Sequence, residues 1–156
     1  MQTAQNLIAL WGRFKHHAIG RWFFSKLLGK MVPYSGTIHP EILLLEAGSA
    51  EVKLQDRRIV RNHLRSIHAL ALANLGEIST GLALHSVLPK THRAILLSLQ
   101  TTYLKKARGT LIAKSRCSVT DWPEDGKVEM HSKTFDSSDV VVSETKTVWK
   151  VSHHPS

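Results

Sequence analysis

A single cysteine, Cys117, stands in the chain, so no disulfide can form within it and no cysteine cluster can hold a metal. Such a sequence suits a reducing, cytoplasmic setting. Acidic residues are missing from the first 40 positions, where Glu41 is the first to come after Arg13, Lys15, Arg21, Lys26 and Lys30. Those same cations break up every apolar run at the N-terminus. Leu7, Ile8, Leu10, Trp11, Phe14, Trp22, Phe23, Phe24, Leu27 and Leu28 are numerous, yet no run approaches the ~20 apolar residues that a membrane span requires. No compact apolar stretch leads to a small-residue cleavage site either, so neither a transmembrane helix nor a signal peptide is expected. Internal repeats and low-complexity tracts are also missing.

What is present suits one soluble domain, 1–156, with a core of useful size: 156 residues, 42% apolar and 21% charged. The net charge of +9 favours anionic partners, whether nucleic acid, an acidic membrane surface or a phosphorylated small molecule. The basic clusters carry no interleaved aromatic residues in any nucleic-acid motif, and no nucleic-acid partner is expected. His16-His17 and His153-His154 are adjacent pairs whose side chains point apart, with no third ligand in view; no metal is expected.

Periodicity divides the chain in two. Residues 4–30 read as two helical segments broken near Gly20, with Leu7, Trp11, Phe14, Ala18 and Trp22 as an apolar stripe packed on the domain. This helical extension, 1–31, precedes a core over 32–151. Two short strands are expected at 41–46 and 51–55. Residues 66–88 are apolar nearly all the way round, which marks a buried helix, capped by Ser66 and stopped before Pro89. After Pro89 the period becomes two. Ile95, Leu97, Leu99, Thr101 and Tyr103 form one face of a long strand, and Leu111, Ala113, Ser115, Cys117 and Val119 one face of the next. Val128 and Met130 belong to a third and 140–151 to a fourth. Two strands, a buried helix and four further strands form an α+β pattern, buried most simply by wrapping the antiparallel sheet around the helix.

The segment Asn62-His-Leu-Arg-Ser-Ile-His68-Ala-Leu-Ala-Leu-Ala-Asn-Leu-Gly-Glu77 resembles the motif of hotdog-fold acyl-CoA thioesterases of the phenylacetate-degradation type, and an uncharacterised thioesterase-like subgroup within them. In that family an Asn precedes a His by six positions and a carboxylate follows the His by nine; Asn62, His68 and Glu77 keep both spacings. The run from Tyr103 through Lys105, Lys106, Arg108 and Gly109 to Ala113 is similar to the family's strand–turn–strand segment. The resemblance covers roughly 32–120. It implies the hotdog fold, acyl-CoA as substrate with no other cofactor, and a turn at Lys105, Lys106, Arg108 and Gly109 within reach of the coenzyme's phosphates. Where the family writes His-Gly-Gly, this chain has His68-Ala69-Leu70.

Thioester hydrolysis needs a base or nucleophile and a pocket for the developing oxyanion. Glu77, deep in an apolar helix, is costly there unless it works or is paired, and is the expected nucleophile or base. The unpaired N–H groups of Ala69 and Leu70 at the helix start are placed to polarise the carbonyl. Asn62 is expected to orient water and His68 to fix the loop before the helix. If His68 is already helical, the nine residues to Glu77 span about 13.5 Å and a half-turn, and the two side chains of one chain cannot meet. Two chains paired about a twofold axis would bring one helix start to the other's Glu77, which predicts a homodimer, or a tetramer built from it. Two other readings stay open: a catalytically silent acyl-CoA binder, favoured by the missing glycines, and a hotdog dehydratase, whose Pro-Gly-rich loop has no counterpart before residue 66.

Overall fold

The structure is a computed structural model that describes residues 4–153, with side chains from Ile8 onward. In chain order come α1 (Ala4–Phe14), α2 (Ala18–Met31), α3 (Pro33–Gly36), β1 (Glu41–Glu46), β2 (Ser49–Leu54), α4 (Ala69–His85), β3 (His92–Tyr103), β4 (Leu111–Arg116), β5 (Asp125–Phe135) and β6 (Val141–His153). The six strands form one sheet in the order β1-β2-β4-β5-β6-β3, antiparallel throughout. It curls round α4, which touches every strand. The sheet-around-helix arrangement expected from the sequence is therefore the one observed.

Small side chains let helix and sheet approach. Gly76 faces β6 so closely that a Cβ there would lie 2.2 Å from Thr145 Oγ1. Beneath the helix, β5 and β6 present Ser132, Thr134, Ser143, Thr145 and Thr147, all buried, and Ser79 Oγ meets Ser132 Oγ at 2.6 Å. Gly76→Ala should overpack this contact and lower unfolding stability by about 1–3 kcal/mol or more, read from urea denaturation. An unchanged midpoint would mean the helix can lift off the sheet at little cost.

Three local expectations are corrected. The first two helices break at Lys15–His17, not near Gly20. Gly20 lies inside α2, where a Cβ would stand 2.3 Å from the Phe14 carbonyl oxygen, so its role is to let the two helices corner closely. The apolar stripe does not continue into α2: Trp11 is buried against Phe24, their rings 5.1 Å apart, while Trp22 is exposed. Finally, α4 is capped by His68 rather than Ser66. His68 has extended backbone angles and accepts a hydrogen bond from Leu70 N–H, whereas Ser66 is used in the preceding loop.

Candidate functional site at the start and open face of the central helix

Residues 62–66 close into a tight loop around one side chain. Asn62 Oδ1 accepts hydrogen bonds from Leu64 N–H at 2.9 Å, Ser66 N–H at 3.2 Å and the Ser66 hydroxyl at 3.1 Å. The backbone reinforces it, with Asn62 N–H donating to Ser66 O and His68 N–H to Val60 O, each at 2.8 Å. Asn62 thus shapes the approach to α4, and its Nδ2 forms no hydrogen bond among the described residues.

At the helix start, Leu70 N–H donates to His68 Nδ1 at 3.1 Å. Of the two N–H groups expected to face a carbonyl, Ala69 N–H is the one without an internal acceptor among the described residues. The Ala69 carbonyl instead accepts from Tyr103 Oη at 3.0 Å, which ties the end of β3 to the first turn of α4. Beside this turn, Tyr34, Ile59, His68, Leu70 and Asn74 line a cavity of about 230 Å³. Leu70 is 65% exposed and Tyr34 72%, so the mouth of the cavity is apolar and open.

Glu77 lies seven residues beyond Leu70. That separation is about 10.5 Å along the helix and within about 20° around it, so Leu70, Asn74, Glu77 and Gly81 share one face. His68, which precedes the helix, is not brought to Glu77. Burial pushes the Glu77 carboxyl up from the ordinary glutamate range, and the nearby Ser35 side chain of α3 offsets part of that rise. Gly81, one turn on, lets the Trp149 ring pack closely against the helix: a Cβ there would lie 3.3 Å from the Trp149 ring and 3.8 Å from Glu77 Oε1. Farther along the same face His85 packs edge-on against Trp149, and burial holds its imidazolium below the usual range.

Ser35, Tyr103 and Trp149 were not expected at the site. They reach it from α3, β3 and β6, and only Gly81, one turn after Glu77, hints in the sequence at close packing against the helix there. Lys105, Lys106 and Arg108 are exposed on the β3–β4 loop. This loop meets the start of α4 directly, since Ala107 O accepts from Ile67 N–H at 2.9 Å. Gly109, at φ 72°, donates its N–H to Asp56 Oδ2 at 2.8 Å. No group of three or more His, Cys, Asp or Glu side chains placed to hold a metal occurs among the described residues, and His154 lies outside them. No described helix is long and apolar enough to cross a membrane.

The family model of DUF4442, a domain of unknown function, matches residues 20–151. No curated protein matches the chain in sequence. Among solved structures, a genomics-target crystal structure is 29% identical, with a TM-score of 0.82 over 96% of this chain and 97% of its own. A Pseudomonas aeruginosa protein of unknown function, described as a probable thioesterase, is 15% identical with a TM-score of 0.74 over 83% of this chain and 93% of its own. A Haemophilus influenzae thioesterase is 12% identical, with a TM-score of 0.68 over 81% and 88%. The fold shared with these thioesterase-family proteins is the hotdog fold.

Proposed function

Because the chain belongs to the DUF4442 family, we propose that this hotdog protein is an acyl-CoA thioesterase, working in the cytoplasm as a homodimer with sites shared between chains. The observation that carries the reading is Glu77: a partly desolvated carboxylate on a largely apolar helix, with no cation paired to it among the described residues. The thioester carbonyl would lie over the first turn of α4, polarised by Ala69 N–H and the helix dipole. For Leu70 N–H to join, the His68 ring would have to release it. Glu77 of the partner subunit would then attack the carbonyl or take a proton from the attacking water, with Asn62 Nδ2 available to hold that water.

The unpaired edge of β3 supports the dimer. β3 ends the sheet, its outer side has no partner strand among the described residues, and Ile95, Leu97 and Leu99 are 57%, 50% and 37% exposed. An edge of twelve residues with apolar side chains invites pairing with a second copy. Coenzyme phosphates would meet Lys105, Lys106 and Arg108 on the anchored loop, close to the helix start.

A thiol-release assay across short, medium, long and aryl acyl-CoAs tests the activity and identifies the acyl group. Binding without release would favour the second reading, a silent acyl-CoA binder, to which the capped Leu70 N–H and the Leu70 side chain in the usual glycine position both point. Neutralising Lys105, Lys106 and Arg108 together should raise KM on the order of tenfold and leave kcat nearly unchanged. Added salt should raise KM in the same way. An unchanged KM would return these residues to an ordinary solvated turn.

A further inference from the structure

Next to the cavity at the start of α4, and sharing Thr37 with it, a larger cavity of about 530 Å³ lies between α2, α3 and the strand pair β1–β2 and takes no part in the chemistry above. Trp22 walls one side of it, and Lys26, Lys30, His39 and Arg57 line it. Glu41 is the one carboxylate in the lining, and it is already paired with Lys53. No carboxylate pairs with Lys26, Lys30 or Arg57 among the described residues.

Two of these cations are held in place. Arg57 Nη2 donates to the Ile38 carbonyl at 2.6 Å, and its Nε is buried with no hydrogen-bond partner. Lys26 Nζ stands 3.3 Å from His39 Nδ1 and 5.8 Å from the centre of the Trp22 ring. An ammonium can only donate, so His39 Nδ1 is the acceptor. Burial first, and then the charges of Lys26 and Arg57, keep the His39 imidazolium below its ordinary range. His39 adopts φ 49°, a left-handed backbone uncommon for a non-glycine residue, at the point where its ring meets Lys26.

Cations gathered in a concave site without counter-charge repel one another and focus a positive potential into it. An anion relieves both effects. We propose that this cavity binds a phosphorylated small molecule of about nucleotide size, with its phosphates between Lys26, Lys30 and Arg57 and its flat or apolar portion against Trp22. The site is independent of the thioesterase reading and stands or falls without it. Its ligand is a free nucleotide-like phosphate or the nucleotide end of a coenzyme A molecule other than the one held at Lys105, Lys106 and Arg108; the chemistry recognised is the same.

The His39 ring resonances, followed by NMR in the full chain at fixed pH, provide a local readout. Pyrophosphate and ADP should move them, and uncharged adenosine should not. The exposed pair Lys26→Gln/Lys30→Gln should weaken both ligands by about tenfold or more. ADP should bind more tightly than pyrophosphate, and Trp22→Leu should erase that advantage. Coenzyme A binding as well as ADP would identify the thioester carrier as the source; ADP binding with coenzyme A excluded would identify a free nucleotide, and either supports the site. Resonances unmoved by pyrophosphate and ADP, or full affinity in a Lys26→Gln/Lys30→Gln protein with a normal melting curve, would overturn it.

Discussion

Glu77→Gln is expected to reduce thioester turnover on the order of 10²-fold or more while leaving the protein folded and, at neutral pH, more stable than the parent. Both effects come from the same burial. The folded state raises the Glu77 carboxyl above its ordinary range, so the protein favours the uncharged form. The stabilising contribution of that uncharged form is complete below the unfolded-state pKa and is lost as pH rises through the folded-state pKa. Above that window an ionised carboxylate is held in a partly dry place. The amide of the Glu77→Gln side chain is neutral at every pH, so the variant should melt at a higher temperature at about pH 8, with the difference closing at about pH 4. Activity of the parent should follow the opposite course. A base or nucleophile must be ionised, so turnover should rise with pH through a limb displaced above the usual carboxylate range. Thiol release and thermal melts on the two proteins measure everything required. Undiminished turnover in a folded Glu77→Gln protein would remove the residue from the chemistry.

Mixing two inactive proteins should restore activity. In one, Glu77→Gln removes the carboxylate; in the other, Asn62→Ala opens the loop that Asn62 Oδ1 closes through three hydrogen bonds ahead of α4. If each site takes its helix start from one chain and Glu77 from the other, a hybrid dimer carries one intact site and one doubly damaged site. Random exchange makes about half the dimers hybrids, so activity should recover to about a quarter of the parent's. The motive is geometric. His68 stands outside the helix as its cap and is not brought to Glu77 of its own chain, and the exposed edge of β3 offers the surface on which a second chain could align. No recovery in a mixture shown to exchange subunits would place both residues in one chain's site. A fully active monomer by light scattering would dispose of the shared site altogether.

Much of the fold is legible in the residues because burial writes itself into periodicity. The near all-round apolarity of 66–88 marks a helix buried over most of its surface, and alternation along 111–119 and 125–135 marks which side chains face it. Where two physical effects look alike in sequence, the reading slips. Gly20 resembles a helix breaker, yet its missing side chain serves a contact with the Phe14 carbonyl inside a continuous helix. Ser66 resembles a cap, yet its hydroxyl is engaged by Asn62, and a histidine caps instead. Alternation also reads Ile95, Leu97, Leu99, Thr101 and Tyr103 as one face of β3, but the register shifts between Leu96 and Ser98, so Ile95 stands opposite exposed Lys150 and Leu99 opposite buried Thr147, on different faces of the sheet. At the candidate site, the spacing of Asn62, His68 and Glu77 is what the sequence offers. Ser35 from α3, which moderates the rise at Glu77, and Trp149 from β6, which packs over Gly81 one turn on, are separated from Glu77 by 42 and 72 positions in the chain, and no local pattern encodes contacts at that range.

The β3–β4 loop is held at two points, by Ala107 O on Ile67 N–H and by Gly109 N–H on Asp56, with Arg108 between them. Asp56 is itself gripped by Arg61, whose neighbour Asn62 organises the loop before α4. The segment bearing Lys105, Lys106 and Arg108 is therefore fastened before any ligand arrives. Its backbone freedom has been given up in folding, so a bound phosphate need immobilise only the ends of flexible side chains. The same fastening makes the loop and the first turn of α4 a single rigid piece. A ligand gripping the cations at one end would bear directly on the hydrogen bonds that hold the helix start at the other.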